Sequence, residues 1–336
     1  MNINALILFF ACYLFIIFSQ ITNSRIFTIP LLFAYFWVYY TKDLTFDSVT
    51  YAEFYENNFY VFEPAFNLTM STFASLGFDS RGFIFIFSVI NIILLGIFTY
   101  STNRNDIKFS YSIFLWSCSL WGISSNGNAI RQILAAFLAY ISITNFFRFK
   151  EFPGSANIII PISLLLLSPL FHATSVVLFI AAFISYNLNF RKIIKYYPLL
   201  IILSFLINYY INPFGDYFSF GHYTDEDSFS DRFPSYFRIF FPFLFSLLYI
   251  FYFKNDTDSG THFLLKIYLF IIFLMTIFAK YSEAISRLNV YLWPLDILFF
   301  SIIFSTKNKI SSILRFLAML SFPIFGLFNP SSLKML

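Results

Sequence analysis

Charge is scarce in this chain. Only 11% of its 336 residues are acidic or basic, against roughly 25% in ordinary soluble domains. With 59% of the residues hydrophobic, a soluble fold is excluded, because such a fold needs polar residues to cover its outside. Cysteine and histidine are nearly missing as well. Cys12 and Cys118 both sit inside apolar runs and read as small fillers, not as a disulfide or a metal pair. His172, His222 and His262 lie far apart without HxxxH or HxxE spacing, which argues against a metal site. No GxxxxGK[ST] or GxGxxG occurs. The longest hydrophilic stretches are about 24 residues, too short for a separate soluble domain, so a fused nucleotide-binding domain is not expected.

What the chain has instead is apolar length. Phe alone contributes 53 residues. Runs of roughly 16–20 apolar residues recur from end to end, the length needed to cross about 30 Å of hydrocarbon. The expected fold is all-α: a polytopic integral membrane protein of about 12 transmembrane helices plus one interfacial or re-entrant helix, forming a single transmembrane domain over 1–336. The expected spans are 4–21, 26–40, 83–100, 109–124, 129–147, 156–171, 173–187, 197–211, 237–253, 263–280, 289–304 and 311–328. The first run, Asn4 to Gln20, lacks a basic leading region and a small-residue cleavage site, so it is expected to remain as a span. Residues 64–78 are only moderately apolar and carry Asn67, Thr69, Ser71, Thr72 and Ser75. They read as a helix opened by Pro64 in its first turn, lying in the interface or re-entering the bilayer.

Sidedness follows from the basic residues. If 64–78 does not span, one set of loops holds 13 Lys and Arg with 4 acids, and the other holds 8 with 12 acids. The positive-inside rule makes the first set cytoplasmic. If 64–78 did span, the count would barely move, so the rule fixes the later spans better than the first two. Two hydrophilic outer loops stand out, about 41–63 and 212–236. Asp296 alone among the acids falls within a span.

Charges near a span cost about 2.5–3.5 kcal/mol each at the bilayer centre, so they need a reason. Arg131 follows a Gly/Asn/Ser turn and leads into an apolar helix. Its planar fork suits a phosphate or a carboxylate. Asp47 and Tyr51 are spaced to share one face of a helix, and Glu63 directly precedes Pro64. His172 lies between two closely spaced runs, just after Pro169. Arg287 has Glu283 four residues before it and Tyr291 four after, and Arg232 and Arg238 flank the stretch where the second outer loop re-enters the membrane. Each alone also fits a plainer role, such as a snorkelling arginine or a Glu–Arg helix pair. Together, Asp47, Glu63, Arg81, Arg131, His172, Arg232, Arg238 and Arg287 map to one face. Carboxylates with several arginines around a membrane-level cavity suit a bulky anionic substrate such as a lipid pyrophosphate.

The ordered motifs resemble a known family. Asp47-Ser-Val-Thr-Tyr51 is similar to a D-x-x-x-Y in the first outer loop, and Phe62-Glu63-Pro64-Ala65-Phe66 to the E-P-x-[FY] after it. Ala129-Ile130-Arg131-Gln132-Ile133-Leu134-Ala135 is similar to an I-R-Q-x-[IL]-A heading a mid-chain span. Phe171-His172-Ala173-Thr174-Ser175 is similar to F-H-x-[ST]-[AS], and Arg287 with Tyr291 to a late R-x-x-x-Y. This set resembles the bacterial O-antigen polymerases (Wzy), and more closely the EpsG-like exopolysaccharide polymerases. Order and spacing agree over residues 40–190. The glycine often found two residues before the loop aspartate is absent, with Thr45 and Phe46 preceding Asp47.

The resemblance implies an activity. Such enzymes join oligosaccharide repeat units carried on undecaprenyl pyrophosphate, at the periplasmic face of the bacterial inner membrane. The partners implied are the lipid-linked oligosaccharide as donor and acceptor, membrane lipid, and a separate chain-length regulator. No cofactor, metal or nucleic acid is expected. A sugar hydroxyl attacks an anomeric carbon, which needs a general base, while arginines stabilise charge on the leaving pyrophosphate. Asp47, Glu63 or His172 would supply the base, His172 serving alternatively as a positioning donor. Arg131 and Arg287 would bind the pyrophosphate and Arg232 or Arg238 the second carrier, with Gln132 and Tyr291 also binding substrate. Tyr51 would orient sugar or carboxylate.

Two other classes use similar features. A flippase for the same glycan would line a central cavity with charge at mid-depth, whereas here the charge gathers at one face. A membrane glycosyltransferase using a polyprenyl-phosphate sugar also places an acid in an early outer loop. A membrane O-acyltransferase would be expected to pair its histidine with an aspartate.

Overall fold

The fold is described from a computed structural model, covering residues 3–22, 28–42, 44, 47–59, 61–102, 109–125, 129–151, 158–215, 235–256, 258–279, 281–305, 317, 319 and 321–328. All regular structure among the described residues is helical. The first elements are α1 (Ile3–Thr22), α2 (Thr28–Thr41), α3 (Asp47–Glu56), α4 (Pro64–Ser75), α5 (Ser80–Ser101), α6 (Phe109–Cys118) and α7 (Leu120–Ser125). They are followed by α8 (Ile130–Glu151), α9 (Ile159–Phe171), a single 3₁₀ turn (Ala173–Ser175), α10 (Val176–Asn187) and α11 (Phe190–Gly215). The last are α12 (Ser235–Phe253), α13 (Ser259–Ile277) and α14 (Ser282–Ser305).

Among the described residues, four helices are long and apolar enough to cross a membrane: Ser80–Ser101, Ile130–Phe147, Ser259–Ile277 and Ala284–Ser305. A bent pair, Ala173–Asn187 and Phe190–Tyr209, meets the same test taken together, with 119° between its arms. Ile3–Phe18, Ile159–Phe171 and Arg238–Phe253 are apolar but shorter. Their outer residues are apolar too, with Phe183 74% and Phe251 70% exposed. This is the surface of a membrane protein, since water would not tolerate so much of it.

The expected spans thus divide unevenly. Residues 109–124 form two helices meeting at Ser119 instead of one span. The chain turns so sharply there that a Cβ on Gly122 would lie 1.7 Å from the Trp116 carbonyl oxygen. α9 has 13 residues, a rise of about 20 Å at 1.5 Å per residue, and His172 ends it in an extended conformation. The span expected over 311–328 lies mostly outside the described residues.

The chain forms two compact units, Met1–Ser175 with Ile297–Leu336, and Val176–Asp296. In the first, side chains set the register. Ser101 Oγ lies 2.7 Å from Thr144 Oγ1, and the Phe98 ring meets Tyr140 at 5.6 Å, so α5 and α8 run parallel. Ser142 donates to the Pro161 carbonyl (2.7 Å) and Ser168 to that of Ala135 (2.8 Å), so α9 runs back antiparallel to α8. The heads of α5 and α8 and the tail of α9 therefore share one end of this frame.

The loop segment between α2 and α5 folds onto that end. Pro64 takes the first position of α4, where its missing N–H matters least. α3 and α4 close alike. Asn58 (φ 54°) and Gly77 (φ 81°) adopt the left-handed conformation. Phe59 and Phe78 donate back to Phe54 and Phe73, and each pair of rings packs together, the Schellman pattern with its apolar clasp. Tyr55 donates to the Phe78 carbonyl (2.9 Å), and Ser80 to Glu56. Tyr51, Tyr55, Phe66, Met70, Phe83, Phe87, Ile130 and Leu134 join in one buried cluster.

Lys42, expected in an exposed loop, is only 2% exposed, with its ammonium 4.9 Å from the Tyr39 ring centroid. Burial pushes its pKa down to about 8. Between that value and the ordinary lysine range, the unfolded chain binds more protons than the folded one. Stability in detergent is therefore expected to rise from about pH 8 to 10.5, and Lys42→Met should flatten that rise in a thermal-unfolding series.

In the second unit, the mid-helix acid is engaged through one oxygen. Asp296 is buried, and its Oδ1 accepts hydrogen bonds from Tyr249 and Tyr268, each at 2.8 Å. These bonds tie α12 and α13 to α14. Asp296→Asn keeps an acceptor for both phenols. Asp296→Leu removes that acceptor, at about 0.5–1.5 kcal/mol per bond lost, while Tyr268 keeps the Pro242 carbonyl at 3.4 Å. Thermal unfolding in detergent should show the leucine variant falling well below the asparagine one.

Candidate functional site

Arg131 is the second residue of α8, at the shared end of the frame. Its Nη1 pairs with Glu63 Oε2. Its Nε donates to the Tyr51 hydroxyl at 3.3 Å. The guanidinium carbon lies 4.3 Å from the Phe62 ring centroid, with Tyr51 and Phe66 at 5.7 and 5.8 Å. Aromatic faces attract such a cation and hold its plane. The pair is partly open, with side-chain exposures of 20% for Arg131 and 21% for Glu63. Among the described residues, Nη2 of Arg131 and Oε1 of Glu63 have no hydrogen-bond partner. One cationic edge and one carboxylate oxygen are thus presented outward, which suits an oxyanion and a hydroxyl respectively.

The sequence builds this locally. Glu63 is the N-cap residue of α4, with an extended backbone. Asn67 clasps the turn before it, accepting from the Phe62 N–H (3.1 Å) and donating to the Phe62 carbonyl (2.6 Å). Phe62 is thereby fixed over Arg131 and Glu63 beside it. Burial raises the Tyr51 phenol pKa, against the opposing pull of Arg131. The phenol therefore stays neutral, and with Arg131 donating to its oxygen its own proton can go to a third group.

His172 comes to the same level by register. Ser142 meets Pro161, and seven residues nearer the head of α8 Ala135 meets Ser168, seven residues nearer the end of α9. Continuing that antiparallel step carries Arg131 to His172. His172 is 7% exposed, and its Nδ1 lies 2.8 Å from Thr174 Oγ1.

The other expected residues sort as follows. Asp47 opens α3 and is exposed, one helical turn from Tyr51. Gln132 turns inward and is 7% exposed. Arg81 is exposed on the first turn of α5. Arg238 (α12), Arg287 and Tyr291 (α14) belong to the second unit, the two arginines half-buried and Tyr291 buried. Arg232 lies outside the described residues. Asn67 and Phe62 were visible in the sequence only as part of a motif and an ambiguous helix. Their role depends on a turn that spacing alone does not reveal.

The family model described as the EpsG family matches residues 26–331. The chain belongs to the EpsG family. The likeness to EpsG-like polysaccharide polymerases read from the motifs is thereby borne out. No curated protein and no solved structure matches the chain. Every candidate residue from Asp47 to Tyr291 falls inside the part matched to the EpsG family.

The ion pair predicts a measurable coupling. Glu63→Gln, Arg131→Gln and the double variant of this EpsG-family chain can be compared by thermal unfolding in detergent. A partly buried pair in contact should give a coupling of about 1 kcal/mol or more. Strictly additive losses would mean that the pair contributes nothing to holding α4 on α8.

Proposed function

We propose that this EpsG-family chain polymerises oligosaccharide repeat units carried on undecaprenyl pyrophosphate, at the periplasmic face of the bacterial inner membrane. The product would be an O-antigen or a related surface polysaccharide. On this reading the chain has about twelve spans, several completed by short or bent helices, and α4 lies in the interface. The observation that carries the proposal is the Arg131–Glu63–Tyr51 cluster, open on one side, with His172 level with it at one end of the α5–α8–α9 frame.

The chemistry divides between these residues. The acceptor hydroxyl loses its proton to a base as its oxygen bonds to the anomeric carbon. The bond from that carbon to the pyrophosphate breaks, and its electron pair leaves with the pyrophosphate. Arg131 offers its open Nη2 edge to the growing charge, the usual use of a preorganised cation. In a direct displacement the base and the leaving group sit on opposite faces of the sugar. Glu63 is already on Arg131, which favours His172 as the base and Glu63 as the residue that aims the arginine. Asp47, exposed at the head of α3, is left to meet the acceptor sugar with Tyr51. Arg232 or Arg238 would hold the second carrier. Asp47, Glu63, Arg131 and His172 stand at or beside the ends of helices, which favours a polymerase over a flippase with its charge at mid-depth.

A deletion strain tests this directly. Loss of the gene should leave single repeat units exported but unpolymerised, and Arg131→Ala or His172→Ala should reach the membrane yet restore no long chains on a glycan gel. Exported material missing altogether would indicate a flippase, and an altered or truncated unit a glycosyltransferase acting earlier. Normal chain lengths with Arg131→Ala would end the leaving-group role.

A further inference from the structure

The turn that carries His172 is fastened by three hydroxyls that the proposed chemistry does not itself use. Ser168 Oγ lies 2.8 Å from the Ala135 carbonyl oxygen and 2.7 Å from Ser175 Oγ. A hydroxyl has one proton. Ser168 is the donor to both, so the Ala135 carbonyl and the Ser175 hydroxyl oxygen share its one proton. Both serines are fully buried. Ala135 is one helical turn inward from Arg131, so this chain of bonds ties the tail of α9 to the turn of α8 just behind the arginine. The backbone closes over it, with the His172 N–H on Ser168 (3.1 Å) and the Ser175 N–H on the His172 carbonyl (3.0 Å). α9 ends at this point because His172 leaves helical geometry, with φ −158° and ψ 111°. Thr174 then reaches back across the turn to His172 Nδ1 at 2.8 Å.

We infer that Thr174 is a positioning residue that fixes the tautomer and ring angle of His172, with Ser168 and Ser175 anchoring the turn to α8. The inference rests on the reading of His172 as the base. The inference assigns the proton of this bond to Nδ1, with Thr174 Oγ1 accepting, and the proton-accepting role to Nε2. The bond made by one ring nitrogen sets the state of the other. The Thr174 proton stays on its own oxygen throughout, so nothing is transferred along the turn. A valine at this position has the same shape and no hydroxyl, and a serine keeps the hydroxyl without the methyl.

The test uses the full chain in membrane vesicles, with the lipid-linked repeat units that accumulate in the deletion strain as substrate. Initial rates of polymer formation are measured against substrate concentration for wild type, Thr174→Val, Thr174→Ser and His172→Ala. Thr174→Val should lower the maximal rate on the order of 10-fold or more and leave the half-saturating concentration unchanged, while Thr174→Ser restores most of the rate. A Thr174→Val enzyme at the wild-type rate, or a serine variant as slow as the valine one, overturns the inference. Full activity in His172→Ala removes the base reading and this inference with it. An inactive His172→Ala beside a fully active Thr174→Val removes this inference alone. Modification of His172 by diethyl pyrocarbonate in resting membranes, read by mass spectrometry, needs no turnover. It should change in Thr174→Val and not in Thr174→Ser, and equal labelling of all three proteins again overturns the inference.

Discussion

A charged pair at the edge of an apolar frame is the constraint from which the rest of this site follows. Arg131 and Glu63 come from different helices, α8 and the N-cap of α4, and each would be expensive alone at membrane depth. Together, under the faces of Phe62, Tyr51 and Phe66, they can be kept there. The cost explains the surrounding structure. Asn67 clamps the Phe62 backbone, the two Schellman closures stop α3 and α4 where they must turn, and Tyr55 and Ser80 pin the segment to the head of α5. None of these contacts touches a substrate, yet without them neither charge has a fixed direction.

The same logic separates rigid frame from chemical surface. Within the frame, polarity is spent in neutral pairs between hydroxyls and backbone carbonyls: Ser101 with Thr144, Ser112 with Ser301, Ser142 on Pro161 and Ser168 on Ala135. Such bonds carry no net charge and specify register, which apolar packing against lipid leaves loose. Formal charge is held mostly to helix ends and loops, with Arg131 at the head of α8 and Arg148, Lys150 and Glu151 at its tail. A chain with 11% charged residues can place them this selectively because its outer surface meets hydrocarbon and does not require them.

Much of this was legible in the residue order. Asp47 and Tyr51 do share a helix, Pro64 does open one, and Arg131 does sit in the first turn of another, because each of those features is local. The partner of Arg131 was not legible, since Glu63 lies 68 positions away and only the fold of α3 and α4 brings it there. The face of His172 was read from the order of the spans, but not the register of α9 on α8 that sets it. Lys42 read as a loop lysine because its neighbours are polar, and its burial comes from packing at the end of α2. The number of spans was the least legible feature. Hydropathy counts apolar residues without seeing that Ser119 and Gly122 break one run, or that the helix ending before His172 has only 13 residues.

His172 is the point at which α9 ends. A histidine within a continuous helix would have its backbone committed to the i to i−4 ladder and its ring angle set by the helix. By leaving the helix in an extended conformation, His172 is joined instead to a 3₁₀ turn whose hydroxyls can be chosen independently of membrane crossing. The break between α9 and α10 therefore shortens a span and supplies a rigid turn at the same point. Short helices are usually a weakness in a bilayer. Here the shortening places a buried imidazole level with an arginine edge, on backbone held by two fully buried serines.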